Sequence, residues 1–209
     1  MSKVDFKKKY KKLYSPPKGK FIIIDVPKLK FLMIDGQGDP NTSVEYQSAV
    51  EALYKISYSI KMSPKKNLKI KGFYDYTVPP LEGLWYVDDI SKFKDTPKDK
   101  WKWTMMIMQP EFVSRQVLGE ILGQLANDKK INNPKINKVR LEEYKEGRSV
   151  QTLYLGAYKD EGLTIGKMHK FIIDQGYKLS GKHHEIYLSD PRKVVPDKLK
   201  TIIRQPIEK

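Results

Sequence analysis

Cysteine is absent from the 209-residue chain. That excludes disulfides, thiolate metal sites and cysteine nucleophiles, and it fits a reducing compartment. Histidine is scarce, with three residues, two of them adjacent. Long apolar runs are missing as well. A bilayer-spanning helix needs about 20 apolar residues, whereas "FIIIDVP" and "MMIM" end far short of that, so no membrane insertion is expected. The basic start "MSKVDFKKKYKK" leads into no apolar stretch and does not read as a secretory signal. The expected location is cytoplasmic. Acidic residues are outnumbered, 25 Asp and Glu against 40 Lys and Arg, for a net charge of +15.

What is present is enough for a packed interior: 39% hydrophobic and 11% aromatic residues, which excludes global disorder. The positive charge is unevenly spread. Residues 1–20 hold eight lysines and one Asp, +7 of the +15, in a segment with little apolar patterning that reads as a basic tail. More lysine lies in "SKFKDTPKDKWK" (91–102), read as a solvated loop. Lysine outweighs arginine, the usual reader of base edges, and no helix-turn-helix, zinc-finger or ribonucleoprotein motif is matched. No specific nucleic-acid partner is therefore expected; what remains is weak, nonspecific attraction.

From Phe21 the pattern becomes regular. "FIIIDVPKLKFLMIDGQGDP" reads as extended chain ending in a Gly/Pro turn. "NTSVEYQSAVEALYKISYSIK" reads as a helix, with Thr42 and Glu45 at capping-box spacing and a stripe of Tyr46, Ala49, Val50, Leu53, Ile56 and Ile60. "LEGLWYVDD" and "WKWTMMIMQP" are strands, and Pro110 suits the first turn of the next helix, lined by Val113, Val117, Leu118, Ile121, Leu122 and Leu125. The polar "NDKKINNPKINK" connects to extended "VRLEEYKEG" and "SVQTLYLGAY". A helix over "TIGKMHKFIIDQG" follows, with Met168, Phe171 and Ile172 on its buried face and Gly176 as its stop. "HHEIYL" and "LKTIIRQPI" are the last strands.

The two halves run in parallel. "KFLMIDGQGDP", a helix, "LEGLWYVDD" and "WKWTMMIMQP" correspond to "QTLYLGAYKDE", a helix, "HHEIYLSDP" and "LKTIIRQP", with a Gln-Pro pair closing each half. The expected fold is α+β: duplicated β-α-β-β units with pseudo-twofold symmetry, helices on one face and a ligand cleft on the other. The expected organisation is a tail at 1–20 and one domain at 21–209, its pseudo-repeats covering about 21–130 and 139–209.

"GKHHEIYLSDPR" carries the chemistry. Alternation along a strand puts His183, Glu185 and Tyr187 on one face and His184, Ile186 and Leu188 on the other. Ile186 and Leu188 suit a helix-covered core, which aims Glu185 and Tyr187 at the opposite face. Adjacent histidines on a strand diverge and the HExxH spacing is absent, so no metal is expected. The histidines read as ordinary polar strand residues. Trp101, Trp103 and Met105 alternate on their strand, as do Thr152 and Tyr154. Of Trp85 and Tyr86 only one can point into a given cleft. A common cleft would gather Trp85, Trp103, Tyr154 and Tyr187 around Glu185, a cage suited to planar or cationic molecules; the alternatives are that the aromatics fill a core and that Glu185 pairs with a Lys or Arg. Glu142, Glu143 and Glu146 read as a solvated strand edge, with a pocket-facing acid among them left open. "DGQGDP" lacks the third glycine of a dinucleotide fingerprint and is a turn, and no cofactor is expected.

"FLMIDGQGDP", "PLEGLWY", "KWTMMIMQPEFV", "GYKLSGKHHEIYLSDPR" and "LKTIIRQP" closely resemble stand-alone GyrI-like small-molecule-binding proteins, over about residues 20–209. The resemblance implies the duplicated β-α-β-β fold and a central pocket for hydrophobic, aromatic, often cationic compounds, with a glutamate at its floor that corresponds to Glu185. Unlike transcription-factor relatives, this sequence shows no attached DNA-binding helical domain. The set is similar to that of the cyclopropanoid cyclopropyl hydrolases, which open the strained ring of DNA-alkylating compounds with water. The resemblance thus implies a hydrolase with Glu185, Tyr187 and Tyr154 in catalytic roles and Trp85, Trp103, Met105, Tyr86 and Phe171 binding the ligand. The partners expected are aromatic small molecules, and the chain is expected to be a monomer or weak dimer. Alternatives are a non-catalytic binder or sensor, and a basic binder of nucleic acid or protein. Removing residues 1–18 is expected to abolish only the last of these activities.

Overall fold

The computed structural model describes residues 3–88, 95–128 and 131–209. Residues 91–94 of the lysine-rich loop and 129–130 of the polar connector lie outside the described residues. In chain order the elements are β1 (Val4–Asp5), α1 (Phe6–Lys9), α2 (Lys11–Tyr14), β2 (Ile22–Gln37), α3 (Val44–Lys61), β3 (Tyr76–Thr77), β4 (Leu81–Tyr86), β5 (Lys102–Met108), α4 (Arg115–Ala126), β6 (Arg140–Leu155), α5 (Gly162–Asp174), β7 (Lys178–Leu179), β8 (His183–Tyr187) and β9 (Lys200–Glu208). The repeat read from the sequence is present as β2-α3-β4-β5 and β6-α5-β8-β9. In each half the first strand pairs antiparallel with the last, β2 with β5 and β6 with β9. The fold is α+β, as expected. The chain forms two compact units, one of Met1–Phe6, Leu29–Pro79 and Tyr86–Tyr144, the other of Lys7–Lys28, Pro80–Trp85 and Lys145–Lys209.

In the first unit, register pairs Gly36 with Trp103, Ile34 with Met105 and Leu32 with Ile107, so these side chains share a face. Trp103 meets Tyr46 of α3 edge to face, ring centroids 5.4 Å apart. The helix buries Ala49, Ala52, Leu53, Ile56 and Ile60, close to the stripe read from the sequence. Its cap is Ser43, whose side chain accepts from the Tyr46 amide at 3.2 Å. Thr42, the expected cap, is one residue early because its amide closes a turn onto the Asp39 carbonyl. Pro110 likewise precedes α4, which is capped by Ser114 on the Val117 amide; its carbonyl accepts from the Val113 amide in the preceding turn.

In the second unit β9 lies between β8 and β6, and β4 pairs along the other side of β8, all antiparallel. Helix α5 covers one face: Met168 and Ile172 pack against Val150, Ile203 and Ile207. Ile203 stands opposite both Glu185 and Thr152, and partners in an antiparallel ladder point to the same side. Glu185 and Tyr187 therefore lie on the face that α5 covers. That corrects the expectation that Ile186 would take the helix side. Ile186 is fully buried on the opposite face, which is not open to water either. The lysine-rich segment covers it, with Leu13 and Tyr14 buried. With both faces covered, the apolar residue of an alternating pair does not tell which face holds the helix.

The expected basic tail is accordingly folded. β1 pairs in parallel with β3, and Phe6 packs edge to face on Tyr76 at 6.0 Å. The small apolar set Phe6, Leu13 and Tyr14, spaced among lysines whose heads stay exposed, is what anchors it.

Candidate functional site

Strand alternation and register bring the site together in the second unit. His183 and Glu185 are next-but-one neighbours on β8, and Nε2 of His183 lies 3.4 Å from Oε1 of Glu185. The Tyr187 hydroxyl donates to Oε2 of Glu185 at 2.9 Å and accepts from the Trp85 indole N–H at 3.0 Å. Trp85 reaches it from β4, where it stands opposite His183. The ring of Tyr158 meets Tyr187 edge to face at 5.6 Å. Glu161 stands at the N-terminal end of α5, with its Oε2 buried.

Burial pushes the Glu185 carboxyl up, but His183, Tyr187 and Glu161 together outweigh it, and the group is held below the usual carboxylate range. It is an ionised carboxylate only 8% exposed, lined on one side by aromatic edges. Such a group can face a cation or orient a water molecule, because its charge is kept while most of its hydration is removed.

The other residues expected at the site are placed as follows. Tyr154 shares the face of Glu185, and its hydroxyl donates to the Ala157 carbonyl at 3.0 Å. Burial raises its pKa, with Asp160 and Glu161 adding to the effect. Phe171 packs on the α5 core and against Phe21, 5.6 Å between rings. Trp103 and Met105 belong to the first unit, fully buried on the α3 side of β5. Tyr86 is half-buried, and alternation turns it away from the face of Trp85. The carboxylate partner is a histidine, where the sequence reading considered a Lys or Arg.

Sequence reasoning missed Glu161, which belongs to no strand pattern and helps to hold the Glu185 carboxyl down. It also missed a second cluster on the other face of the same strands. Nδ1 of His184 is 2.9 Å from Glu146, and its Nε2 is 3.0 Å from Glu82. Arg204 donates to Glu146 at 2.9 Å, to Gln151 at 3.0 Å and to the Leu13 carbonyl at 2.9 Å. Tyr14 donates to Glu82 at 2.7 Å. Burial lowers the His184 pKa, but Glu146 and Glu82 raise it further, to about 9. Burial raises that of Glu146, yet His184 and Arg204 bring it down to about 2. Two acids and two cations cancel, which is how the charges tolerate burial. Glu146 is thus a core residue and not a solvated strand edge, and neither histidine is an ordinary polar strand residue.

Among the described residues no group of three or more His, Asp or Glu side chains could hold a metal, and no helix is long and apolar enough to cross a membrane. A shallow groove of about 360 Å³ in the first unit is lined by Ile34, Asp35, Glu45, Lys135, Lys138 and Arg140. Most of its charges serve one another: Arg140 pairs with Asp35 at 2.9 Å and Glu142 at 2.8 Å, and Lys135 pairs with Glu45. Exposed pairs of this kind are worth about 0–1 kcal/mol each.

Comparison with known proteins points to one family. The family model for the GyrI-like small molecule binding domain matches residues 20–208. A crystal structure of an uncharacterized conserved protein from Listeria innocua is 43% identical, with a TM-score of 0.90 over 99% of this chain and all of that one. A crystal structure of a hydrolase from Listeria innocua is 42% identical, with a TM-score of 0.87 and the same coverage. The C-terminal domain of EcmrR shares the fold at 11% identity, with a TM-score of 0.55 over 91% of this chain and 98% of that domain. None of the curated proteins compared matches the chain.

Proposed function

Because the chain belongs to the GyrI-like small-molecule-binding family, we propose that it binds flat, aromatic and often cationic compounds beside Glu185 and hydrolyses those carrying a strained electrophilic ring, in particular conjugated cyclopropanes. By removing DNA-alkylating compounds, this activity would protect the cell. The observation that carries the reading is the buried, ionised Glu185, hydrogen-bonded by Tyr187 and flanked by Trp85. The relative of 42% identity called a hydrolase supports the catalytic half of the proposal.

Glu185 acts as the base that draws a proton from water as its oxygen attacks the ring carbon. Trp85 and Tyr158 supply aromatic surface for the substrate, with Phe171 as an outer contact; Tyr86, turned away from that face, is left out. Negative charge then builds on the conjugated carbonyl oxygen, where a hydroxyl donor stabilises it. The Tyr187 hydroxyl is donated to Glu185 and that of Tyr154 to a backbone carbonyl, so either phenol takes that role only by turning from its present acceptor. Trp103 and Met105 act from the core of their own unit, by holding the strand that carries them. Ring strain supplies driving force, so positioning accounts for much of the rate.

The test is incubation of the purified protein with a conjugated cyclopropyl ketone of the DNA-alkylating type, followed by mass spectrometry. Catalytic gain of one water is expected, falling about 10²–10⁴-fold in Glu185→Gln. Unchanged turnover in that variant would remove Glu185 as the base. Tight binding with no water added would leave a sequestering or sensing protein.

A further inference from the structure

The lysine-rich segment is pinned to the second unit by its backbone and its few apolar groups. The carbonyl of Lys12 accepts from the Gln151 side chain at 2.7 Å, and that of Leu13 from Arg204 at 2.9 Å. The Tyr14 hydroxyl donates to Glu82 at 2.7 Å, and Leu13, Tyr14 and Pro16 are buried. Farther on, the Leu153 amide donates to the Pro17 carbonyl and the Gly19 amide to the Leu153 carbonyl, both at 3.4 Å. These contacts use the inward side of the segment, and every lysine from Lys7 to Lys20 is exposed.

This basic strip has no acids of its own to balance it. Seven lysines lie between Asp5 and Asp25 with no Asp or Glu among them, and Asp25 is held by Arg148 at 3.3 Å. Among the described residues, Lys8, Lys11, Lys12, Lys18 and Lys20 enter no ion pair. Exposed cations elsewhere in the same unit do find partners, Lys170 with Asp174 and Arg192 with Asp190. Like charges held on an ordered backbone repel one another, and a dense polyanion relieves that repulsion. Because the backbone is already ordered, docking loses little further chain entropy. The strip contains no arginine, so it offers point charges to phosphate oxygens and no planar fork to base edges. Among the described residues, none of the exposed large apolar side chains lies between Lys7 and Lys20, which leaves nothing there to insert into a bilayer.

We propose that the strip is a docking surface for the phosphate backbone of duplex DNA, engaged without regard to base sequence. Duplex DNA carries one negative charge per about 1.7 Å of axis, a density that a run of unpaired lysines complements. The segment rests on Glu82 and Arg204, which stand opposite Ile186 and His184 and so share the face turned away from Glu185. DNA held on the strip therefore lies across the sheet from Glu185 and does not compete with a ligand there. The docking is independent of the hydrolytic reading. Where that reading holds as well, the protein meets DNA-alkylating compounds on the polymer they attack.

The test uses the full-length chain and a short fluorescein-labelled DNA duplex, followed by anisotropy across a salt series. Affinity is expected to fall about 10²–10³-fold between about 50 and 200 mM salt, as the release of counterions from about five phosphates requires. The triple variant Lys8→Gln, Lys11→Gln, Lys12→Gln should flatten the log–log salt slope by about 3 and bind at least about 10-fold more weakly at low salt. An unchanged melting temperature checks that this variant is folded. A second triple variant, Lys65→Gln, Lys66→Gln, Lys69→Gln, removes the same charge from exposed lysines of the first unit, and its slope should change by less than about 1. Equal losses in the two variants would show that net charge and not the strip attracts DNA, and would overturn the proposal. No binding near 50 mM salt, or a strong preference for one base sequence, would overturn it as well. Tighter binding to an RNA of the same length or to phosphatidylserine vesicles would overturn the assignment to DNA.

Discussion

His184 owes its charge to Glu146 and Glu82 and keeps it to about pH 9. A group whose folded pKa is raised stabilises fully below its unfolded value, here 6.5, and the contribution is lost as pH climbs through about 9. Glu146 has the opposite sign: its contribution is present above 4.5 and is lost as pH falls toward about 2. The two overlap in a plateau between 4.5 and 6.5. The His184 shift corresponds to about 3 kcal/mol, and part of that is the same attraction felt by Glu146, so the two are not summed. Chemical denaturation at a series of pH values is expected to show the wild-type chain losing about 1–3 kcal/mol between pH 6.5 and 9. His184→Gln should be less stable at pH 6 and nearly flat over that range. Parallel slopes in the two proteins would show that another group titrates. The sequence displayed His184 as one of two adjacent histidines, but its partners come from positions 38 and 102 residues away in the chain, which no local pattern relates.

At the scale of elements, β8 shows what alternation does and does not carry. It correctly placed His183, Glu185 and Tyr187 together, because successive side chains on any strand point to opposite sides. It did not say which side α5 would take, because that depends on register with β9 and on what covers each face. The β2–β5 ladder makes a related point. Trp103 lies flat over Gly36, where a Cβ would overlap the indole ring, so the pairing requires glycine at that position. Gly36→Ala is expected to destabilise the chain by about 1–3 kcal/mol through overpacking, with a shift in Trp103 fluorescence. A neutral effect on the urea midpoint would mean that the ring has room to move. In the sequence, "DGQGDP" announced a turn, whereas the first of its glycines sits within the strand to make room for an indole 67 residues on.

For the whole molecule, the lysine-rich beginning changes meaning most. Its charge was legible, and its role was not. Residues 7–14 supply the second unit with the Leu13 carbonyl for Arg204, the Lys12 carbonyl for Gln151 and the Tyr14 hydroxyl for Glu82. Residues 4–6 give the first unit a strand for β3 and a ring for Tyr76. Each hydrogen bond lost to a buried charge costs about 1.5–3 kcal/mol, so removing residues 1–14 forfeits a large share of a typical 5–15 kcal/mol total. The truncated chain is expected to unfold or to melt at least about 10 °C lower in calorimetry. It would thus lose small-molecule binding too, and not only attraction to nucleic acid. Replacing the exposed Lys8, Lys11 and Lys12 by Gln in the full chain removes charge alone and should leave the melting temperature nearly unchanged. A truncated chain as stable as the whole would restore the tail reading.

The amino-acid sequence by itself determined the α+β class, the duplicated strand–helix–strand–strand order, the helical stripes and the company of Glu185 with Tyr187 and His183. All of these follow from periodicities of 2 and 3.6 residues, which are local. Tertiary structure alone decided the ion pairs of His184, the burial of Glu146 and the placing of Trp103 against α3. Those depend on register and on the docking of distant segments, and in each case the cost of burying an unpaired charge or leaving a gap selects the partner.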